Sequence, residues 1–131
     1  MSAPNDNPAA ELRRKLLRKQ YYAIFMTPPE PMDDPISTMG ATLKDHLEWL
    51  SDLEARGVLF ASGPFRDEAG AWIGDGMAIV RAASLAEAEA MAAAEPFQKA
   101  GLRRNTVRGW QLNEGAITLT VRFMNGEFEL G

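Results

Sequence analysis

The 131-residue sequence contains no cysteine and a single histidine, His46. The absence of thiols excludes disulfides, cysteine nucleophiles, iron–sulfur clusters and Cys-ligated zinc. With one imidazole per chain, a metal site with several histidines would need ligands from a second subunit. No apolar run approaches the roughly 20 residues of a membrane helix, and no secretion signal is recognisable. We therefore expect a cytoplasmic protein without membrane association.

The net charge of −4 is distributed unevenly along the chain. Residues 1–19 carry five basic and two acidic side chains, a net charge of +3, which leaves −7 for the rest. This contrast predicts a basic N-terminal arm (residues 1–19), which we expect to dock onto a partner subunit, and a single domain (residues 20–131). No nucleic-acid partner is expected, because an acidic domain without interleaved aromatics repels phosphates and offers no surface on which bases stack.

The hydropathy pattern predicts an α+β protein of order β-α-β-β-α-β. Residues 21–26 (YYAIFM) are apolar on both sides, which is typical of a central strand covered on both faces. A capping box, Ser84 with Glu87 three residues later, marks the start of the second main helix. The other predicted elements are a short amphipathic helix at 10–19, a proline-rich loop at 27–39, a helix at 42–57, strands at 58–62, up to residue 80 and at 107–112, and a half-buried strand at 117–123.

This order is the ferredoxin-like split βαβ pattern, with an extra C-terminal strand and an N-terminal helical arm. Two helices cover one face of such a sheet. Because residues 21–26 are apolar on both sides, the second face must also be covered. We expect a homodimer formed by packing of the two sheet faces.

His46 lies on the apolar stripe of the helix at 42–57, one turn from Leu43 and from Leu50. An imidazole is the side chain most readily tuned as a general base near neutral pH. The alternative is a histidine at the edge of the core whose nitrogens are hydrogen-bonded by the backbone.

Two short motifs follow the predicted strands and helices. Ser62, Gly63 and Pro64 end a strand, where glycine permits close backbone approach and proline fixes the chain direction. They suit the rim of a small pocket, or an ordinary strand-terminating turn. Glu95 precedes Pro96 at the cap of a helical turn, where a shorter side chain fits better. Its carboxylate therefore has another role, or it is a solvated charge at a helix end.

Other features carry less weight. The glycine-rich segment 70–76 does not match G-x-G-x-x-G and leads into a strand, so nucleotide binding is rejected. Arg103, Arg104 and Arg108 could attract an anionic ligand, but a solvated cluster at a strand end is favoured. No cofactor motif is visible and no metal is expected, although a metal held across a dimer by His46 and carboxylates stays open.

Taken together, four motifs resemble the YCII-related (YciI-like) family in order and approximate spacing. The resemblance extends from about residue 20 to about residue 112 and omits the arm and the final strand. The motifs are residues 46–50 (HLEWL), 57–64 (GVLFASGP), 84–89 (SLAEAE) and 94–97 (AEPF) followed by Ala100-Gly101.

The resemblance implies a dimeric ferredoxin-like α+β barrel with a His/Asp centre in a cleft between sheet and helices. His46 would be the histidine of this centre. Glu95 stands where the family usually has the aspartate of an Asp-Pro-Phe/Tyr motif, which is a departure. Ser62, Gly63, Pro64 and Phe97 would be the substrate-binding residues of the same cleft.

Two functional hypotheses remain open. In the first, the chain is a cofactor-independent, lyase- or isomerase-like enzyme for a small organic substrate. His46 is then the general base, Glu95 orients its ring, and backbone groups near Ser62 bind a substrate oxygen. In the second, the chain is a non-catalytic dimer that binds a small ligand or another protein, as the glutamate at position 95 and the extra terminal segments suggest.

Overall fold

A four-stranded sheet forms the centre of the fold. The computed structural model describes residues 7–131. With strands numbered in chain order, the sheet order is β2-β3-β1-β4, which confirms the predicted ferredoxin-like arrangement. β1 occupies an interior position, as its two-sided apolar pattern predicts. The four strands are β1 (Lys19–Thr27), β2 (Leu59–Pro64), β3 (Gly76–Val80) and β4 (Arg104–Leu112).

Residues 7–131 form two longer helices and three short ones. The capping box is present, since the hydroxyl of Ser84 accepts a hydrogen bond from the Glu87 amide at 3.2 Å. The Glu87 carboxylate in turn accepts from the amide of Ala83, at 3.1 Å. Gly57 follows the first long helix with a φ of +72°, a conformation that stops a helix at low cost only for glycine. The helices are α1 (Ala10–Arg13), α2 (Pro35–Met39), α3 (Thr42–Ala55), α4 (Leu85–Ala93) and α5 (Pro96–Lys99).

The hydrophobic core lies between the sheet and α4. β1 pairs antiparallel with β3, and this register aligns Ile24 with Ala78. Side chains two residues apart on a strand share a face, so Val80 joins the same layer. These residues pack with Ala88 and Ala92 of α4, whose small side chains let the helix approach the sheet closely.

The opposite face of the sheet is also apolar. Tyr21 of β1 and Ile79 of β3 are buried, and the ring of Tyr21 lies 4.9 Å from that of Phe60. The guanidinium of Arg81 covers both rings at 5.3 and 5.5 Å from their centroids. The dimer expected from the two-sided apolar pattern of residues 21–26 stays a prediction.

The proline-rich segment 27–39 was predicted to be a loop throughout, and this prediction is wrong for its C-terminal end. Its last five residues form α2. Asp34 caps this helix by accepting from the Ser37 amide at 3.3 Å, and Pro35 occupies the first turn. Proline is favoured there because the first helical amide needs no intrahelical partner, so an Asp-Pro pair can begin a helix as well as interrupt one.

The chain divides into two compact units. One is Gln20–Gln111. The other, here called the terminal unit, combines the N-terminal segment up to Lys19 with Leu112–Gly131. In the terminal unit, the helix expected over 10–19 is limited to the four residues of α1. Two strands, β5 (Leu119–Arg122) and β6 (Glu127–Leu130), form a separate antiparallel sheet. The predicted domain limits, 1–19 and 20–131, stay a prediction.

The alternation of residues 117–123 predicted a half-buried strand, and this prediction is wrong. In β5, Leu119 and Val121 keep 61% and 56% of their surface exposed. They align with Leu130 and Phe128 of β6, so the hairpin has one apolar face. Alternation alone does not supply a layer to cover this face.

Among the helices of residues 7–131, none has the length and apolar character needed to cross a bilayer.

Candidate active site

A cavity of about 170 Å³ opens beside α3 in the unit Gln20–Gln111. Its apolar wall includes Leu43, Leu50 and Trp72, and three ionisable side chains also line it: His46, Asp75 and Arg103. An apolar cavity with a few convergent polar groups is the usual form of a small-molecule site. This cavity is therefore the candidate active site.

His46 sits at the boundary between this cavity and the protein interior. The apolar stripe of α3 carries it inward, so that only 6% of its surface is exposed, and its ring lies 4.7 Å from the ring of Phe97. Within residues 7–131, Nδ1 of the imidazole has no hydrogen-bond partner. The alternative of a histidine with both nitrogens satisfied by the backbone is therefore wrong.

Glu95 faces His46 from the start of α5. Its Oε2 lies 3.7 Å from Nδ1 of His46, close enough for an ionic interaction but longer than a hydrogen bond. The same oxygen accepts a hydrogen bond from the Phe97 amide, and Asn105 Nδ2 donates to the other oxygen at 3.5 Å. Glu95 is fully buried, so it is not a solvated charge at a helix end.

Arg103 provides the positive charge opposite Glu95. Its Nη1 lies 3.9 Å from Oε1 of Glu95, and its guanidinium lies 4.5 Å over the ring of Phe97. Burial lowers the pKa of Arg103, while the negative charges of Glu95 and Asp75 oppose that shift. The interpretation of Arg103 as part of a solvated cluster is wrong, since only 5% of its surface is exposed.

Gly74 fixes the position of Arg103. Its carbonyl oxygen accepts a hydrogen bond from Nε of Arg103 at 2.7 Å. The φ of Gly74 is +100°, and a Cβ here would lie 2.6 Å from Sδ of Met32. Only glycine fits this backbone, so the loop before β3 holds the carbonyl in place for the guanidinium.

The predicted site residues fall into two groups. Ser62, Gly63 and Pro64 line the cavity together with His46. Glu95 and Phe97 lie against His46 but are not among the lining residues.

Trp72 and Asp75 were not predicted as site residues, and Arg103 was expected in a solvated cluster. Their sequence context offered little to find them. Trp72 and Asp75 belong to the glycine-rich segment 70–76, which was tested only as a nucleotide-binding loop. Arg103 looks like its neighbour Arg104, which is exposed.

The arrangement suits proton transfer in a small, largely apolar space. A neutral imidazole accepts a proton, and a carboxylate at 3.7 Å stabilises the resulting positive charge. Apolar walls exclude water and strengthen these interactions. Within residues 7–131, no group of three or more His, Asp or Glu side chains is placed to hold a metal ion.

Comparisons with known proteins identify the family. The model of the YCII-related domain matches residues 21–111, and the chain belongs to this family. No curated protein matches the sequence.

One similar solved structure is the 5-chloro-2-hydroxyhydroquinone dehydrochlorinase from Burkholderia phenoliruptrix AC1100, in complex with 2,5-dihydroxybenzoquinone. The two chains are 21% identical, with a TM-score of 0.56, over 69% of this chain and 92% of the dehydrochlorinase. At this identity the likeness supports the shared fold.

Proposed function

We propose that this chain is an enzyme for a small cyclic substrate, with lyase- or isomerase-like acid–base chemistry centred on His46. The observation that carries the proposal is the position of the imidazole. It lines an apolar cavity and also lies 3.7 Å from a fully buried carboxylate. A buried base with an adjacent countercharge is costly to maintain without a function.

The proposed mechanism assigns a role to each residue. Glu95 faces Nδ1, so Nε2 of His46 is the nitrogen that accepts a proton from an acidic O–H or C–H of the substrate. The electron pair left on the substrate expels a leaving group in a lyase reaction, or moves within the substrate in an isomerase reaction. Glu95 stabilises the imidazolium, and the backbone near Ser62 and Gly63 binds a substrate oxygen.

The dehydrochlorinase suggests the first substrate to try. Its name describes the loss of hydrogen chloride from a chlorinated, hydroxylated ring, a reaction that needs a base to remove a proton. Chloride release from 5-chloro-2-hydroxyhydroquinone is therefore the primary assay. Related hydroxylated rings, with and without chlorine, test isomerase chemistry by incorporation of solvent deuterium.

We expect the wild-type chain to accelerate one of these reactions and His46→Ala to slow it by about 10²- to 10⁴-fold, the usual contribution of general acid–base catalysis. Lys44→Ala, an exposed change on the same helix, should leave the rate unchanged. An unchanged rate for His46→Ala contradicts the mechanism.

The second candidate is a non-catalytic dimer that binds a small ligand. It is favoured by the 3.7 Å separation of Nδ1 and Oε2, which leaves the imidazole without the hydrogen bond that orients a general base. Binding of the ring compounds without turnover by the wild-type chain would replace the enzyme proposal with this one.

We also propose that the chain is a homodimer in which the sheet faces pack together. The support is the face opposite the core packed on α4, where Phe60 and Trp110 lie beside Tyr21 and keep 37% and 41% of their surface exposed. Light scattering at micromolar concentration should give the mass of two chains. The mass of one chain contradicts the dimer.

A further inference from the structure

The cavity has a second polar end that the proposed acid–base chemistry does not use. Asp75 and Arg103 both line the cavity, Asp75 directly after the glycine whose carbonyl binds Arg103. The two charges are close enough for Asp75 to oppose the shift in the pKa of Arg103. A donor and an acceptor therefore face the same small space.

Arg103 keeps hydrogen-bonding capacity that the protein does not use. Nε donates to Gly74 at 2.7 Å, but Nη1 meets only Sδ of Met26 at 3.8 Å and Oε1 of Glu95 at 3.9 Å. Charge-assisted hydrogen bonds are about 2.7–2.9 Å long. Among residues 7–131, no hydrogen bond from Nη2 to the protein is formed. A buried guanidinium normally satisfies most of its five N–H groups.

Asp75 has a hydrogen-bond acceptor that the described protein does not use. Its side-chain oxygen Oδ1 is buried and, within residues 7–131, has no hydrogen-bond partner. Its backbone is held in place, because the indole N–H of Trp72 donates to the Asp75 carbonyl oxygen at 2.7 Å. A buried carboxylate oxygen without a donor is costly, so this position favours a ligand that brings a hydroxyl group.

The size and charge of the cavity limit the ligand further. Its volume of about 170 Å³ is close to that of a cavity of about 150 Å³ that holds one benzene molecule. Glu95 and Asp75 together outnumber the single positive charge of Arg103. A preformed anion would add to this negative charge, so a neutral ring is favoured.

We infer that Arg103 and Asp75 bind a neutral, single-ring compound through two of its oxygen substituents. Arg103 donates to one oxygen of the ring, and Asp75 accepts a hydrogen bond from a ring hydroxyl. The inference rests on the proposed function in one respect, since it places the ligand in the cavity beside His46. It adds the chemical class of the ligand and two residues that select it.

The first test uses the unmodified protein and needs no variant. Calorimetry with catechol, phenol, 1,2-dimethoxybenzene and benzoate compares single rings that carry two hydroxyls, one hydroxyl, two methoxy groups or a carboxylate. We expect catechol to bind about tenfold more tightly than 1,2-dimethoxybenzene, which cannot donate to Asp75, and more tightly than phenol. We expect benzoate, an anion, to bind most weakly. Equal affinities for catechol and 1,2-dimethoxybenzene, or no binding of catechol at millimolar concentration, overturn the inference.

The second test uses variants. Asp75→Asn and Arg103→Met should each weaken catechol binding about tenfold, and Arg103→Lys should restore part of the loss. Arg104→Met, at the exposed neighbouring arginine, is the matched control and should bind as the wild type does. Unchanged binding in both Asp75→Asn and Arg103→Met overturns the inference.

His46→Ala separates the inference from the proposed function. This variant should lose turnover but keep the preference for catechol over 1,2-dimethoxybenzene, because the two residues that select the oxygens are intact. Loss of that preference in folded His46→Ala contradicts the assignment to Asp75 and Arg103. Loss of activity with the preference retained supports both proposals independently.

Discussion

The unit Gln20–Gln111 and the terminal unit both pair antiparallel strands that carry apolar side chains, but the side chains end in opposite environments. In the first unit, Ile24 and Val80 on paired strands are completely buried. In the terminal unit, Leu119 and Phe128 on paired strands are 61% and 74% exposed. Both patterns form strands, but only the first has helices to cover it. The apolar side chains of a strand therefore show which sides prefer burial, and a covering layer decides whether burial occurs.

The charged residues differ in the same way. The unit Gln20–Gln111 contains a buried set of His46, Glu95 and Arg103. The terminal unit has an ion pair between Arg122 and Glu129 at 3.0 Å, whose side chains are 49% and 61% exposed. Buried charges depend on their partners, whereas exposed ones are screened by water. Matched substitutions in the two units test this contrast.

The largest effect is expected for Glu95→Ala, which leaves the buried guanidinium of Arg103 without its countercharge. The free energy of unfolding should fall by about 4 kcal/mol, as for other broken buried ion pairs. Glu129→Ala, in the exposed pair, should change it by about 0.5 kcal/mol. Urea denaturation followed by circular dichroism measures both values.

Glu95→Gln separates charge from shape in this comparison. The amide keeps an acceptor for the Phe97 N–H but removes the charge. Glu95→Gln should lower the free energy of unfolding by less than Glu95→Ala does, but by more than zero. Equal costs for Glu95→Ala and Glu129→Ala would mean that the buried set does not differ energetically from the surface pair.

A smaller effect is expected for Leu53→Ala in α3. Leu53 is 1% exposed, so its truncation leaves a cavity and should lower the free energy of unfolding by about 3 kcal/mol. Leu130→Ala, the same change at a residue that is 71% exposed, should cost under about 0.5 kcal/mol. A large cost for Leu130→Ala that depends on protein concentration would show that a second molecule covers the hairpin.

The smallest effect is expected at the helix starts. Ser84→Ala removes the hydroxyl that caps α4 and should cost about 1 kcal/mol. Asn7 makes a similar contact in the terminal unit, where its side chain accepts from the Ala9 amide at 2.8 Å. Asn7→Ala should cost less, because α1 has only four residues. Thermal unfolding compares the two variants, and a larger loss for Asn7→Ala contradicts the prediction.

Much of the fold could be predicted because the decisive information is local. The apolar residues 21–26 indicated a central strand, Ser84 with Glu87 indicated the start of α4, and the stripe of α3 turned His46 inward. Each of these patterns involves only residues that lie within two turns of one helix or within one strand. The cap position of Glu95 was predictable for the same reason.

The rest depends on contacts between distant residues. Arg103 and Arg104 are adjacent and chemically identical, but only Arg103 is buried, because the carbonyl of Gly74 lies 2.7 Å from its Nε. Nothing near Arg103 in sequence encodes that contact across 29 residues. The exposure of the strand at 117–123 is a similar case, since its alternation contains no information about a covering layer.

The shared use of one oxygen of Glu95 has a further consequence. Oε2 accepts from the amide of Phe97 and also faces Nδ1 of His46 at 3.7 Å. A proton gained by the imidazole attracts this oxygen and so competes with the backbone amide for it. The Phe97 amide is therefore an intrinsic reporter of the charge on His46, readable as a backbone resonance without any label in the cavity.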